Sequence, residues 1–267
     1  MPFTPSHAVV ALPFVRTPLV PAAIAVGAMT PDLPLFLRGT PITYLGTHDP
    51  RWILGTMVLA LVLLLVWRCV LRPAVRELSP RWLAERLPPV WDEGAARGWT
   101  DTLAPSWRSV LLLVASLAIG VASHIAWDAF THEGRVGVAL LPALDQQWGP
   151  LLGFKWVQHG SSALGLLILA VAGWSWFRRQ TPGPVDRALP GGVRIIAWAS
   201  LPFALVAGWL TGIALFGPLT SQFTYAHLAY RVLPPACAIW AVLVVALCLV
   251  IQARRASIRP NRSRIHG

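Results

Sequence analysis

The sequence predicts an all-α, polytopic membrane helix bundle, and three observations predict it. Of its 267 residues, 55% are hydrophobic and only 12% charged, where a soluble domain carries about 25% charged residues. Five apolar runs approach the ~20 residues that a bilayer crossing needs. Lysine and arginine gather in alternate loops between those runs, the pattern that sets membrane orientation.

The first apolar segment, residues 5–30, is broken by Pro13, Arg16, Pro18 and Pro21. Proline removes a backbone donor, and an arginine at bilayer depth is expensive. Two readings fit: one kinked sixth span, or a re-entrant hairpin of half-length helices over 5–14 and 18–29, turning at Arg16-Thr17. The hairpin is favoured because it puts His7 and Asp32 at the same side of the membrane. Residues 30–51 are a polar, proline-rich loop with Asp32, His48 and Asp49. Full spans are predicted over 53–71, 109–130, 156–177, 195–216 and 232–251. Residues 72–108 interleave six arginines with Trp82, Trp91, Trp99 and Trp107, as an interfacial cytoplasmic segment does. Residues 1–252 therefore read as one membrane-embedded helical domain. Residues 253–267 read as a basic, disordered tail.

The loops at 72–108 and 178–194 and the tail are rich in Lys and Arg, whereas those at 30–51, 131–155 and 217–231 are poor. The positive-inside rule then predicts a multi-pass membrane protein with a cytoplasmic C-terminus. Asp32, His48 and His132 fall together on the extracytoplasmic side. The net charge of +11 is thereby assigned to topology and anionic lipid rather than to nucleic acid, for which no motif is present. Cys69, Cys237 and Cys248 lack CxxC spacing and read as small buried hydrophobes. The N-terminus lacks a basic region and a cleavage site, so the first apolar segment is expected to stay in the mature protein.

The chemistry concentrates at the end of the second full span, in HIAWDAFTH, residues 124–132. His124, Asp128 and His132 recur at i, i+4 and i+8. On a helix each step turns only about 40° and climbs about 6 Å, so all three lie on one stripe. The outer two are about 12 Å apart along the axis, too far to share one ion through bonds of about 2 Å. Asp128, between them, can reach either and is a candidate bridge. A carboxylate at this depth needs a partner; the competing reading is an Asp–His ion pair that staples helices. His159 beside Gln158 opens the third span near the His132 loop, and its membership of the site stays open. Asp49 reads as a supporting or a solvated carboxylate. His227 and His266 read as interface residues or helix-pairing partners. Nucleophile-elbow, phosphate-loop, dinucleotide and HExxH motifs are absent.

With MPFTPSHAVVALP, PLVPAAIAVGAMTPDLPLF, HIAWDAFTH and WVQHGSS in view, the chain resembles the domain-of-unknown-function 4184 family of bacterial polytopic membrane proteins over nearly its whole length. More distantly it is similar to inner-membrane metal-dependent hydrolases with an N-terminal His, a Pro-Asp motif, a His loop and an HxxxD helix. His7, Pro31-Asp32, His48 and His124 with Asp128 match those features; of that group's HRxxTH stretch only Thr47-His48 is present. The order His7, Asp32, His48, His124, Asp128, His132 is also similar to that in zinc-dependent phospholipases C and related nucleases. That resemblance implies phosphoester hydrolysis at a multi-metal site.

Residues and resemblances together lead to an expectation of a metal-dependent hydrolase in the bacterial plasma membrane. His7, Asp32, His48, His124, Asp128 and His132 would bind two or three divalent ions, zinc by donor type. Asp128 and His132 would be catalytic, the substrate lipid-linked or phosphorylated, and the partner the bilayer itself. A transporter or metal-handling protein using the same residues, and a non-catalytic membrane scaffold, are the alternatives.

Overall fold

A computed structural model describes residues 3–263, with side chains through residue 257; His266 lies outside the described residues. In chain order the helices are α1 Pro21–Met29, α2 Tyr44–Thr47, α3 Ile53–Leu65, α4 Arg72–Leu78, α5 Arg81–Ala84, α6 Ala95–Thr102, α7 Trp107–Thr131, α8 Val136–Leu140, α9 Gly153–Arg179, α10 Gly191–Phe216 and α11 Tyr225–Ser263. Short 3-10 segments join several of them. One two-residue hairpin pairs β1 Gln147–Trp148 with β2 Leu151–Leu152. Among the described residues, five helices are long and apolar enough to cross a membrane: Pro50–Leu78, α7, α9, α10 and Tyr225–Ser257. The all-α bundle with five full spans is therefore what the chain forms. The first of these helices outruns its expected end at residue 71, because a π-helical turn, Val66–Leu71, carries α3 into α4. The last continues past residue 252 into the stretch read as a tail. Contacts gather in two compact units.

The first unit comprises Met1–Pro34, Thr40–Val66 and Thr100–Arg179. The broken N-terminal segment is a hairpin. A 3-10 helix over Thr4–Phe14 turns back into α1, which starts with Pro21 at its first position, where a missing N–H is harmless. Eleven residues of 3-10 helix rise about 22 Å and nine of α-helix about 14 Å, so neither arm reaches the ~30 Å of a hydrocarbon core.

Helix α1 runs parallel to α7 in a constant register. Val20 N–H donates to Ser116 Oγ at 2.9 Å, and the His124 ring meets Ala28 O at 2.7 Å, each pair 96 residues apart. Between them the backbones touch: a Cβ on Gly120 would lie 2.3 Å from Ile24 O, and one on Gly27 2.9 Å from Leu117 O. Small residues allow this approach, and in a membrane close packing supplies much of helix association. Carried one turn further, the same offset (128 − 32 = 96) sets Asp32 beside Asp128. The N-terminal 3-10 helix lies on α9, where Gly165 passes Ser6 and Phe3 N–H donates to Ser162 Oγ at 3.1 Å.

The second unit comprises Leu35–Gly39, Trp67–Trp99 and Gln180–Gly267. Helices α10 and α11 pair along their length. A small core of Ala74, Leu189, Cys248 and Ile251 holds α4 and α11 to the 180–190 segment. The three cysteines are free thiols; Cys248 is buried and Cys69 and Cys237 half-buried.

Candidate metal centre

Four side chains converge at one end of the first unit. Asp32, His48, His124 and Asp128 are all buried, and one donor atom from each lies within 4.8 Å of the others. Each has a different carrier. Asp32 sits on the 3-10 turn Thr30–Leu35, which follows α1 directly. His48 ends α2, a single turn started by Thr43, whose hydroxyl accepts from Gly46 N–H at 3.1 Å. Thr47 Oγ1 donates to Pro31 O at 2.7 Å, which ties that turn to the Asp32 segment. His124 and Asp128 lie one turn apart on α7.

His48 Nε2 is 3.3 Å from Asp128 Oδ2 and 3.9 Å from Asp32 Oδ1. His124 Nε2 is 3.4 Å and 3.7 Å from the same two atoms. A tetrahedral ion with bonds of about 2.0–2.1 Å holds its donors about 3.3 Å apart. The two spacings to Asp128 match that of a coordination shell, and the two to Asp32 are too long for direct hydrogen bonds.

The tautomers sharpen the point. His48 Nδ1–H donates to Tyr44 O at 2.9 Å and His124 Nδ1–H donates to Ala28 O at 2.7 Å. A carbonyl can only accept, so each neutral ring keeps its lone pair on Nε2. Those two lone pairs face each other at 3.1 Å. Nothing between them is a donor while both rings are neutral, and two carboxylates look on. Such an array is relieved by a cation inside it, or by a second proton on one ring that donates to Asp128 Oδ2. Backbone carbonyls that fix the far nitrogen are also how proteins orient metal-binding histidines.

His7 and His132 complete the set of six. His7 Nε2 is 3.8 Å from Asp128 Oδ1, and its ring lies against that of His124, centroids 4.2 Å apart. His7 Nε2, Asp32 Oδ1 and Asp128 Oδ1 are buried without a hydrogen-bond partner, an arrangement that costs about 1–3 kcal/mol for each group.

His132 is different. Helix α7 ends at Thr131, and His132 follows in extended backbone, φ −128° and ψ 139°, so the three-residue stripe does not continue as a helix to its third member. Its Nδ1 turns back to Asp128 Oδ2 at 3.4 Å. Its Nε2 accepts from the Gln158 amide at 3.3 Å, while Gln158 Oε1 accepts from Lys155 Nζ at 3.2 Å. Both nitrogens of His132 are engaged, which makes it a brace for Asp128 in this arrangement. Burial holds its imidazole below its ordinary pKa, so the neutral form persists at neutral pH.

Gln158 is wholly buried and takes part, whereas His159 is exposed. Tyr44 was not singled out from the sequence. Its hydroxyl donates to Asp128 Oδ2 at 3.5 Å and its ring stacks on His48 at 3.9 Å. Burial first, then the Asp128 carboxylate, pushes this phenol's pKa up, which keeps it a donor. Its place four residues before His48 on one turn was a legible signal. Thr4, whose hydroxyl donates to Asp32 Oδ2 at 2.6 Å, offered none. Asp49 turns away and pairs with Arg51, accepting at 2.6 Å from Nη2. His227 is exposed and accepts from Thr224 N–H at 3.3 Å.

The family described as "Domain of unknown function (DUF4184)" matches residues 1–254. The chain belongs to the DUF4184 family. No curated protein and no solved structure matches it. Within this DUF4184 chain the match spans all six residues of the cluster and every element that carries them.

Proposed function

We propose that the chain is a membrane-embedded, metal-dependent hydrolase whose ion is held by Asp32, His48, His124 and Asp128. One observation carries the reading: two imidazole rings and two carboxylates converge, buried, and the neutral rings have no proton donor between them. Imidazole and carboxylate together suit zinc, and a bound divalent ion supplies a water nucleophile at neutral pH and an electrophile for a phosphoryl oxygen. His7 Nε2 and Asp128 Oδ1, on the far side of the shared carboxylate, are the donors a second ion would draw on. Asp128 then serves as ligand and bridge, with His132 and Gln158 setting its direction.

Access favours a substrate with an apolar part. A cavity of about 350 Å³ reaches His7 and is walled by Val9, Val10, Trp127, Leu164 and Ile168. A phosphoester carried on a lipid suits that combination of apolar walls and a polar end. The loop charges favour an orientation with this cluster on the extracytoplasmic side.

The test is metal analysis of the purified chain alongside hydrolysis of a lipid phosphoester. The expected result is stoichiometric divalent metal in the wild type, near none in His124→Ala and Asp128→Ala, and hydrolysis that follows metal content. Metal-free wild type protein, or variants that keep full occupancy, would sink the reading. Bound metal without hydrolysis would move it to metal handling.

A further inference from the structure

A second cavity, lined wholly by residues of the second unit, shares no residue with the cluster just described. It encloses about 1030 Å³ between the end of the helix Pro50–Leu78 and the beginning of α10. Both are candidate spans, so the cavity sits where a span leaves the apolar layer. Trp198 marks that level: it is largely exposed, and its indole N–H donates to Leu78 O at 2.8 Å. Tryptophan with a wet and an apolar end is characteristic of the headgroup region.

Three arginines line the cavity, Arg81, Arg187 and Arg194, against a single acid, Glu85. Glu85 is engaged by Arg81 Nε at 2.7 Å, and Arg194 by Glu77 at 3.1 Å. Arg187 is left with neutral acceptors, its two Nη groups donating to Glu77 O at 2.6 Å and Ser79 O at 3.0 Å. Among the described residues, no carboxylate oxygen pairs with it at hydrogen-bond distance. Burial first, then the nearby Arg194, presses its pKa below the ordinary guanidinium value, against an opposing pull from Glu77 and Glu85. The remaining wall is apolar, with Leu78, Val185, Ile195 and Ala199 leading up the start of α10.

We propose that this cavity seats an anionic phospholipid. Its headgroup phosphate accepts from Arg187 and Arg81, and its acyl chain lies along Ile195 and Ala199. A basic pocket between membrane helices is a recurring site for anionic headgroups, and a planar guanidinium suits phosphate oxygens. A free anion would satisfy the arginines but leave the apolar wall uncovered, and a neutral phospholipid would do the reverse.

The experiment uses the full chain in mild detergent, stripped of lipid and titrated with phosphatidylglycerol or phosphatidylcholine, with bound lipid counted by native mass spectrometry. Wild type should retain phosphatidylglycerol about tenfold better than phosphatidylcholine. Ala199→Trp, which fills the apolar wall and touches no ion pair, should lose most of that retention. Arg81→Gln, at an exposed arginine, should lower the preference by a few-fold, with circular dichroism confirming that both variants fold. Equal retention of the two lipids, or full retention by a folded Ala199→Trp, overturns the proposal. So does competition by inorganic phosphate as strong as that by the lipid, which reduces the site to one for a simple anion.

Discussion

The two units each bury acid groups, and they treat them in opposite ways. Glu77 in the second unit is fully buried, yet its carboxylate accepts from Ala188 N–H at 2.8 Å, Leu189 N–H at 3.2 Å, Arg194 at 3.1 Å and Arg255 at 3.4 Å. Arg255 also donates to Asp92 at 2.8 Å, and Arg76 closes the network on Asp92 and on the carbonyls of Ala84 and Pro184. Every carboxylate there meets donors. In the first unit, Asp32 and Asp128 each keep a buried oxygen without a donor, and two ring nitrogens face each other lone pair to lone pair. The saturated cluster is finished as a structural joint between α4, α11 and the 188–194 stretch. The unsaturated one is finished only by something added. Burial of charge does not separate a joint from a site; completeness of partners does.

The sharpest way to break this contrast is at Glu77. Glu77→Ala leaves Arg194 and Arg255 facing the space of a lost carboxylate, and breaking such a buried pair costs about 3–5 kcal/mol. A large fall in thermal midpoint is expected, with metal content per folded molecule unchanged. Loss of metal in the folded fraction would contradict the separation of roles.

Gly120→Leu attacks the other side. Its side chain would start from a Cβ 2.3 Å from Ile24 O, so α1 must move off α7, at a cost of about 1–3 kcal/mol. Because α1 delivers Asp32, metal content should fall along with stability. A variant that is destabilised but fully loaded would show that the register of α1 does not position the cluster.

Gln158→Leu is a gentler probe, since it removes only the brace behind His132. Partners of this kind change metal affinity by about 10–100-fold, so competition with a graded chelator should show weaker retention at near-normal stability. Smallest of all is Tyr44→Phe, which deletes one long hydrogen bond to Asp128 and keeps the ring stacked on His48. A loss of about 0.5–1.5 kcal/mol in folding or metal affinity is expected, read by thermal shift with and without chelator. A larger effect would promote the phenol to a direct role in the chemistry.

Much of this was visible in the residues themselves. The five long spans follow from apolar runs that local hydropathy alone can locate, although the π-helical turn at Val66–Leu71 moved the end of the first. His124 and Asp128 were legible because a helical repeat of four puts them on one face. The hairpin at the N-terminus was legible only by argument, from prolines that interrupt and from a histidine that otherwise had no company. Gln158 looked no different from any polar residue near a span end, and Thr4 looked like chain terminus. Their parts come from the packing of the N-terminal 3-10 helix and α9 around α7, which no local pattern reports.

By itself the sequence determined that this chain lives in a bilayer, how many long helices it has, and which side chains are costly enough there to need a reason. Those are consequences of composition and of spacing along one strand of chain, where each residue's surroundings are its neighbours. Which imidazole faces which carboxylate, and that the nitrogen-to-nitrogen approach at His48 and His124 has no proton to share while both rings are neutral, was decided by the glycine-lined register of α1 on α7 and by carbonyls that claim the opposite ring nitrogens. Such facts depend on distances of a few ångströms between segments about a hundred residues apart, and only the folded chain sets them.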